Sequence, residues 1–356
     1  MINWVPNKSI NNDTVQKLLK KCEETKQYTN DGPNIKLLEE FVKNKLEIDD
    51  SKSIIVVVNA SLGIQILTHA ISVFNNKQLN WSTQSFTFPP SNQGTLKNSI
   101  ILDIDLEGGL NLEEVDDNID GLIVTNIFGN IVDIDKYIDY CNKSNKYLVF
   151  DNAATAYTFY KNKNCLNYGN GSVISFHHTK PFGFGEGGAI IIDKKYEICI
   201  RKLINFGIGL YHDKYYSEEA NNCKMSDISA VYILQYMYDN FDIIIKIHQE
   251  LFNYFKNKIN ESNLNVQLYP SFHDENKNCV SCFCLLFDRF ETSTNMVKIL
   301  LENDIFSRKY YHPLKETKNT VYMYNKILCL PCTKDMQFED IDVIINLLKH
   351  HNKYMS

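Results

Sequence analysis

Arginine is almost missing from this 356-residue chain: of 37 basic residues only Arg201, Arg289 and Arg308 are arginines. With a net charge of −6, no broad basic surface is available for nucleic acid. No apolar run approaches the ~18 residues of a membrane span. Met1–Ile10 lacks a basic stretch followed by an apolar one, so no signal peptide is expected. The expected location is the cytoplasm. Hydrophobic residues at 44% and charged residues at 22% exclude a disordered chain. Asparagine is in excess at 41 residues, alongside lysine, isoleucine and tyrosine. A coding bias toward AT-rich codons accounts for this excess. Asparagine-rich stretches therefore carry no functional argument, whereas each arginine does.

Ten cysteines, mostly inside apolar strings, read as reduced cytosolic thiols. Cys279-Val-Ser-Cys282 and Cys329-Leu-Pro-Cys332 have the spacing of zinc-ligand pairs. Neither pair is followed by the glycine a knuckle turns on, and the first opens an apolar strand. Core thiols are expected there, and no metal.

Along the chain, helices are predicted over Asn12–Gln27 and Asn34–Leu46. Ser53–Val58 is a continuous β-branched run suited to a strand buried on both faces. Asn59-Ala60-Ser61 and a helix to about Phe74 follow. Strands are predicted near Leu79–Trp81, Ser99–Ile104, Gly121–Asn126, Tyr147–Asp151, Val173–Phe176 and Gly188–Ile192, with a helix over Asp133–Ser144. Apolar strands alternating with helices indicate a mostly parallel α/β sheet. A long helix, roughly Met225–Lys258, leads to strands near Val266–Leu268, Ser281–Phe287 and Ile327–Leu330, with helices at Ser293–Asn303 and Glu339–His350. The expected division is a large α/β domain over 1–240, with 1–50 as a helical segment packed on it. A small α+β domain is expected over 241–356.

Ligands of parallel sheets gather at the carboxyl ends of strands, and three such ends carry suggestive residues. Asn59-Ala60-Ser61 can cradle a phosphate on free N–H groups at a helix start, or serve as an ordinary helix cap. Asp151 ends a buried strand, where a carboxylate requires a cationic partner or a capping role. Ser175 to Gly188 places Lys180 on a glycine-rich loop between two buried strands. A lysine in a dry pocket loses its proton readily and becomes a nucleophile. Phosphate cradle, strand-end acid and loop lysine, in that chain order, are what pyridoxal phosphate needs.

These residues resemble the pyridoxal-phosphate nucleotide-sugar aminotransferases of the DegT type, a branch of the aspartate-aminotransferase fold (fold type I). Tyr28-Thr-Asn-Asp-Gly-Pro33, Asn59-Ala-Ser61 and Ser85-Phe-Thr-Phe88 are similar to family motifs. So are Phe128-Gly129, Asp151-Asn-Ala153 and Asn222-Cys-Lys-Met-Ser-Asp227. The most specific element is Ser175-Phe-His177 with Lys180 and Gly185-Glu-Gly-Gly188. Arg308-Lys-Tyr-Tyr-His-Pro313 resembles a segment of members that aminate 4-keto-6-deoxy-hexoses, the viosamine-forming type.

The resemblance implies Lys180 and Asp151 as catalytic residues. It implies cofactor contacts from Ala60, Ser61, Phe88, Ala153 and Ser175, and from Asn222 across a homodimer. Substrate contacts are implied for Thr29, Gly32, Pro33, His178, Lys224, Arg308, Tyr310 and Tyr311. The implied reaction moves an amino group from glutamate to a dTDP- or UDP-linked keto-sugar. A 3-keto-sugar aminotransferase, a sugar dehydratase relative and a non-catalytic nucleotide-sugar-binding homologue are the alternatives. Three departures stand out: Ala60 for glycine, Lys224 for arginine, and Ala154 where the family has Gln or His.

Overall fold

The computed structural model describes residues 1–208, 219–275 and 277–352. Helices α1 (Asn12–Thr25) and α2 (Pro33–Lys45) open the chain, then β1 (Lys52–Val57), α3 (Ala60–Phe74), β2 (Trp81–Gln84) and β3 (Ile100–Leu102). Next come β4 (Gly121–Thr125), α4 (Ile134–Ser144), β5 (Tyr147–Asp151) and a short hairpin of β6 (Phe159–Tyr160) and β7 (Lys163–Asn164). Strands β8 (Gly171–Ser175) and β9 (Gly188–Asp193) and helix α5 (Glu197–Leu203) complete this part. Helix α6 (Asp227–Glu261) leads to β10 (Val266–Leu268), β11 (Cys282–Phe287), α7 (Phe290–Glu302), α8 (Lys318–Lys326), β12 (Ile327–Pro331) and α9 (Phe338–Asn352).

The central sheet has the order β1-β9-β8-β5-β4-β2-β3 and is parallel except for β9, which runs against both its neighbours. Alternation along each strand divides its side chains between two cores. Ile54, Val56, Leu122, Val124, Leu148, Phe150, Ala189 and Ile191 face one of them. Ile55, Val57, Ile123, Val149, Ile190 and Ile192 face the other, against α3 and α5. This two-sided burial is why the strands read as unbroken apolar runs rather than alternating ones.

The small domain is the antiparallel sheet β10-β11-β12 backed by α7 and α9. Helix α6 joins the two domains without a break. Its residues up to Ile244 pack into the large core, and those from Leu251 pack into the small one. The N-terminal segment is shared as well. Helices α1 and α2 lie on the large domain, whereas Ile2 joins the small-domain core.

Two sequence expectations shift. The strand expected near Leu79–Trp81 lies at Trp81–Gln84. Its polar residues are buried with partners: Gln84 accepts from the Thr125 N–H at 2.9 Å, and Thr83 bonds Ser91 at 2.9 Å. Helix α5 and the β6–β7 hairpin have no sequence counterpart, and neither has helix α8. Its N-terminus is held by a carboxylate from the other domain, because Asp103 accepts from the N–H groups of Asn319 (2.8 Å) and Thr320 (3.0 Å).

Candidate active site

The six parallel strands bring their carboxyl ends to one edge of the sheet, where the reversed strand β9 begins. Register fixes the neighbours there. Val57 and Ser175 both pair with Gly188, and Asp151 pairs with Thr125 and Val173. A cavity of about 580 Å³ opens at this edge, a size suited to a cofactor and substrate. A larger cleft of about 690 Å³ lies at the amino ends of the strands, lined by residues such as Lys77, Asp120 and Lys146. Its Lys77 and Asp120 already pair with each other, and it contains no comparable chemistry.

The large domain contributes Ala60, Ser61, Phe88, Asp151, Ala153, Ser175 and Lys180 to the 580 Å³ cavity, and the small domain contributes Arg308, Tyr310 and Tyr311. Thr29, Gly32, Pro33, His178, Asn222 and Lys224 are not part of its wall. Pocket-lining His177 and Thr179 flank His178, whose ring instead packs against Phe184 at 5.6 Å.

Each group arrives for a local reason. Helix α3 starts directly after β1, with Asn59 as its cap: the Asn59 side chain accepts from the Leu62 N–H at 2.9 Å. That cap serves Leu62 and not the amides of Ala60 and Ser61, two pocket-lining residues at a helix start, the kind of place that suits an anion. Asp151 is 5% exposed. Burial pushes its carboxyl up, opposed by the Ala153 N–H and by the charge of Lys180. Among the described residues its carboxylate receives one hydrogen bond, from Ala153 N–H at 3.0 Å. Burial pulls the Lys180 amine down, opposed by Asp151 and Cys282. No hydrogen bond or ion pair holds that amine among the described residues. Phe88 is 56% exposed at the cavity mouth, and its ring lies 5.9 Å from Tyr311.

Tyr311 is fixed by stacking on Phe128 (5.2 Å) and Tyr310 (5.4 Å). Arg308 lies against two rings, 5.5 Å from Trp4 and 5.7 Å from Tyr310. It has no carboxylate partner among the described residues, which leaves its guanidinium open to an anion. Arg201 differs. Its guanidinium is held by Glu39 and Glu197, each at 3.0 Å.

These groups fit pyridoxal phosphate. A buried carboxylate with a single donor suits a protonated ring nitrogen, and an unengaged amine suits a carbonyl. A helix N-terminus suits a phosphate. Ala154 lines the pocket but supplies no side-chain donor. Asn126 at the pocket wall donates to Asn152 at 2.8 Å and accepts from Val132 N–H at 3.0 Å.

The cysteines do not assemble as two CxxC pairs. Cys282, Cys284 and Cys329 converge in the buried interior, and of the three Cys282 lines the cavity. Cys332 lies elsewhere, 3.5 Å from His248. Strand alternation explains this, since Cys282 and Cys284 share a face of β11.

Sequence reasoning did not find Trp4, Val5 or Cys282, all of which line the cavity. Trp4 is one of only two tryptophans. That scarcity is the same kind of signal that singled out Arg308.

The DegT/DnrJ/EryC1/StrS aminotransferase family matches residues 9–349. A dTDP-4-amino-4,6-dideoxy-D-glucose transaminase of Shigella dysenteriae is 24% identical, over 92% of both chains. DesI, solved in the presence of its TDP-sugar product, superposes with a TM-score of 0.83 at 21% identity over 97% of this chain and 91% of its own. Helicobacter pylori PseC, an aminotransferase of pseudoaminic acid biosynthesis, superposes with a TM-score of 0.83 at 16% identity, covering 99% of each chain. The match over nearly the whole length, together with this pocket, makes the chain a member of the DegT/DnrJ/EryC1/StrS aminotransferase family.

Proposed function

We propose that the protein is a pyridoxal-5'-phosphate-dependent aminotransferase that takes nitrogen from glutamate. The acceptor is the 4-keto carbon of a nucleotide-linked 4-keto-6-deoxy-hexose. The product is a 4-amino-4,6-dideoxy-sugar nucleotide for glycan biosynthesis. The observation that carries this reading is the meeting of Asp151 and Lys180, both without a strong partner, in one cavity at the strand ends. The names of the Shigella relative and of DesI's TDP-sugar product support a nucleotide-sugar substrate and favour a dTDP-linked one, with a UDP-linked sugar as the alternative.

Bound pyridoxal phosphate supplies an electron sink for the pair of electrons left when the substrate carbon loses its proton. Lys180 anchors the cofactor, and once displaced its amine carries that proton as general base and then general acid. Burial favours this task, because it keeps the amine's affinity for a proton down. Asp151 holds the ring nitrogen protonated. The amides of Ala60 and Ser61 and the hydroxyls of Ser61 and Ser175 bind the phosphate, and Phe88 covers one face of the ring. Arg308 binds a substrate phosphate, with Tyr310 and Tyr311 as the wall beside it.

Asn222 and Lys224 lie at the surface beside the end of β1, where Lys224 pairs with Val57 in an isolated bridge. Tyr28, Phe206 and Ile208 are exposed nearby at 41%, 56% and 45%. An exposed apolar patch around polar groups suits a contact with a second copy. In a two-fold dimer Asn222 and Lys224 would complete the other subunit's pocket, and Thr29, Gly32 and Pro33 would border it.

Isotopically labelled glutamate mixed with dTDP- and UDP-linked 4-keto-6-deoxy-hexoses tests the assignment. Label at C4 of the product is expected. Label at C3 of a 3-keto substrate instead would identify the 3-amination variant, and loss of a hydroxyl without nitrogen transfer would identify a dehydratase. Tight sugar-nucleotide binding without any transfer would identify a non-catalytic homologue.

A further inference from the structure

We infer that Lys8 is a positioning residue for Lys180, carried on a strap of N-terminal residues that ties the small domain to the active-site loop. The strap begins with Ile2, whose N–H donates to Asp304 O (2.8 Å) and whose carbonyl accepts from Phe306 N–H (3.0 Å). Trp4 then packs on Arg308 and Tyr310 at the cavity wall. Asn7 N–H donates to Asp335 at 2.6 Å. The Lys8 ammonium donates to the carbonyls of Lys180 (2.8 Å) and Gly183 (2.5 Å), with the Tyr236 ring 4.6 Å away. Asn11 closes the strap, its N–H donating to Gln235 on α6 at 2.9 Å.

The turn that Lys8 holds is otherwise closed on itself. Lys180 N–H donates to His177 O (2.8 Å) and Gly183 N–H to Lys180 O (3.0 Å). A β-carbon on Gly183 would lie 2.1 Å from His177 O, so the turn has no slack at that point. Two carbonyls of this turn face Lys8, and their direction fixes where the Lys180 side chain leaves the backbone.

The placement of Lys8 is costly for an ordinary surface lysine. The groups that act on it or feel its charge are Lys334, His178 and His248. No carboxylate pairs with it among the described residues. Burial and then Lys334 pull its amine down to about 7. A half-buried amine without a carboxylate partner is retained where its hydrogen bonds matter, and both of these go to the loop of Lys180.

The inference rests on the reading of Lys180 given above, so the test has one arm that does not. Full-length Lys8→Met protein is compared with wild type. Without cofactor, backbone amides of residues 176–187 should exchange with solvent on the order of tenfold faster in the variant. Loaded with pyridoxal phosphate, its single-turnover rate with glutamate should fall on the order of 10- to 100-fold. The half-saturating glutamate concentration should change less than about twofold, the pattern of lost transition-state alignment. Unchanged exchange, or faster exchange with an unchanged rate, overturns the positioning role. Faster exchange in a protein whose wild type never takes up pyridoxal phosphate on Lys180 would defeat the Lys180 reading and not the contact. Should Lys8→Met not fold, Lys8→Arg keeps two donors and Lys8→Gln is too short to span both carbonyls. A fast Arg variant and a slow Gln variant support the role, and equal rates overturn it.

Discussion

Gly188 and Ala60 approach so closely that a β-carbon on Gly188 would stand 2.5 Å from the Ala60 amide nitrogen. The first turn of α3, which carries the proposed phosphate amides, thus rests directly on the start of β9. Gly188→Ala must push backbone against backbone, at a cost of about 1–3 kcal/mol. The expected result is a folded protein with at least about tenfold weaker pyridoxal phosphate affinity, read by titration of the cofactor's absorbance.

Asp151→Asn should separate stability from function. Burial raises the Asp151 carboxyl above its ordinary value. The folded state therefore holds its proton more tightly than the unfolded chain, and stability falls as pH rises through the raised value. At neutral pH the cofactor-free Asn variant should be more stable than wild type by about 1–3 kcal/mol, seen as a higher thermal midpoint. The same variant should lose most of its proton-transfer rate with glutamate, because the ring nitrogen loses its carboxylate.

His248 sets an acid limit. It is fully buried with Nδ1–H donating to Val280 O at 2.8 Å, and burial pulls it from 6.5 down to about 4. Between these values the unfolded chain binds a proton that the folded state refuses, so stability falls as pH drops. The contribution is about 3 kcal/mol across that window. His248→Asn should flatten the pH dependence of denaturant midpoints between pH 6.5 and 4.

Arg308→Ala should act on the second half-reaction alone. A lost charge-assisted contact to a phosphate is worth about 1.5–3 kcal/mol, which is roughly a 10- to 100-fold rise in KM for the sugar nucleotide. The glutamate half-reaction should be unaffected. Trp4→Leu, which removes one of the rings beside the guanidinium, should raise the same KM by a smaller factor.

What the sequence made legible follows from local physics. Strands β1, β5 and β9 are buried on both faces and show as apolar runs, and the ends of β1, β5 and β8 carry their chemistry at fixed offsets. Ala60, Asp151, Ser175 and Lys180 were readable for that reason. Helix α8 was not, because its cap is Asp103, more than two hundred residues away in the chain. Burial opposes it, but hydrogen bonds from Thr317, Asn319, Ile104 and Thr320 hold the Asp103 carboxyl below its usual value. Lys8 and Trp4 were hidden for a similar reason. Each lies in a short irregular segment whose partners, Lys180 and Arg308, are distant in sequence. Strand β2 lies later than its apolar residues suggest because its Ser82, Thr83 and Gln84 are polar yet buried.

The most direct measurement is the visible spectrum of wild type and Lys180→Ala after pyridoxal phosphate is added and free cofactor removed. Wild type should be yellow, bleach with glutamate and regain its band with a nucleotide-linked keto-sugar, while Lys180→Ala shows no lysine-bound band. A wild type that stays colourless, or a Lys180→Ala protein with the same band, would contradict the account.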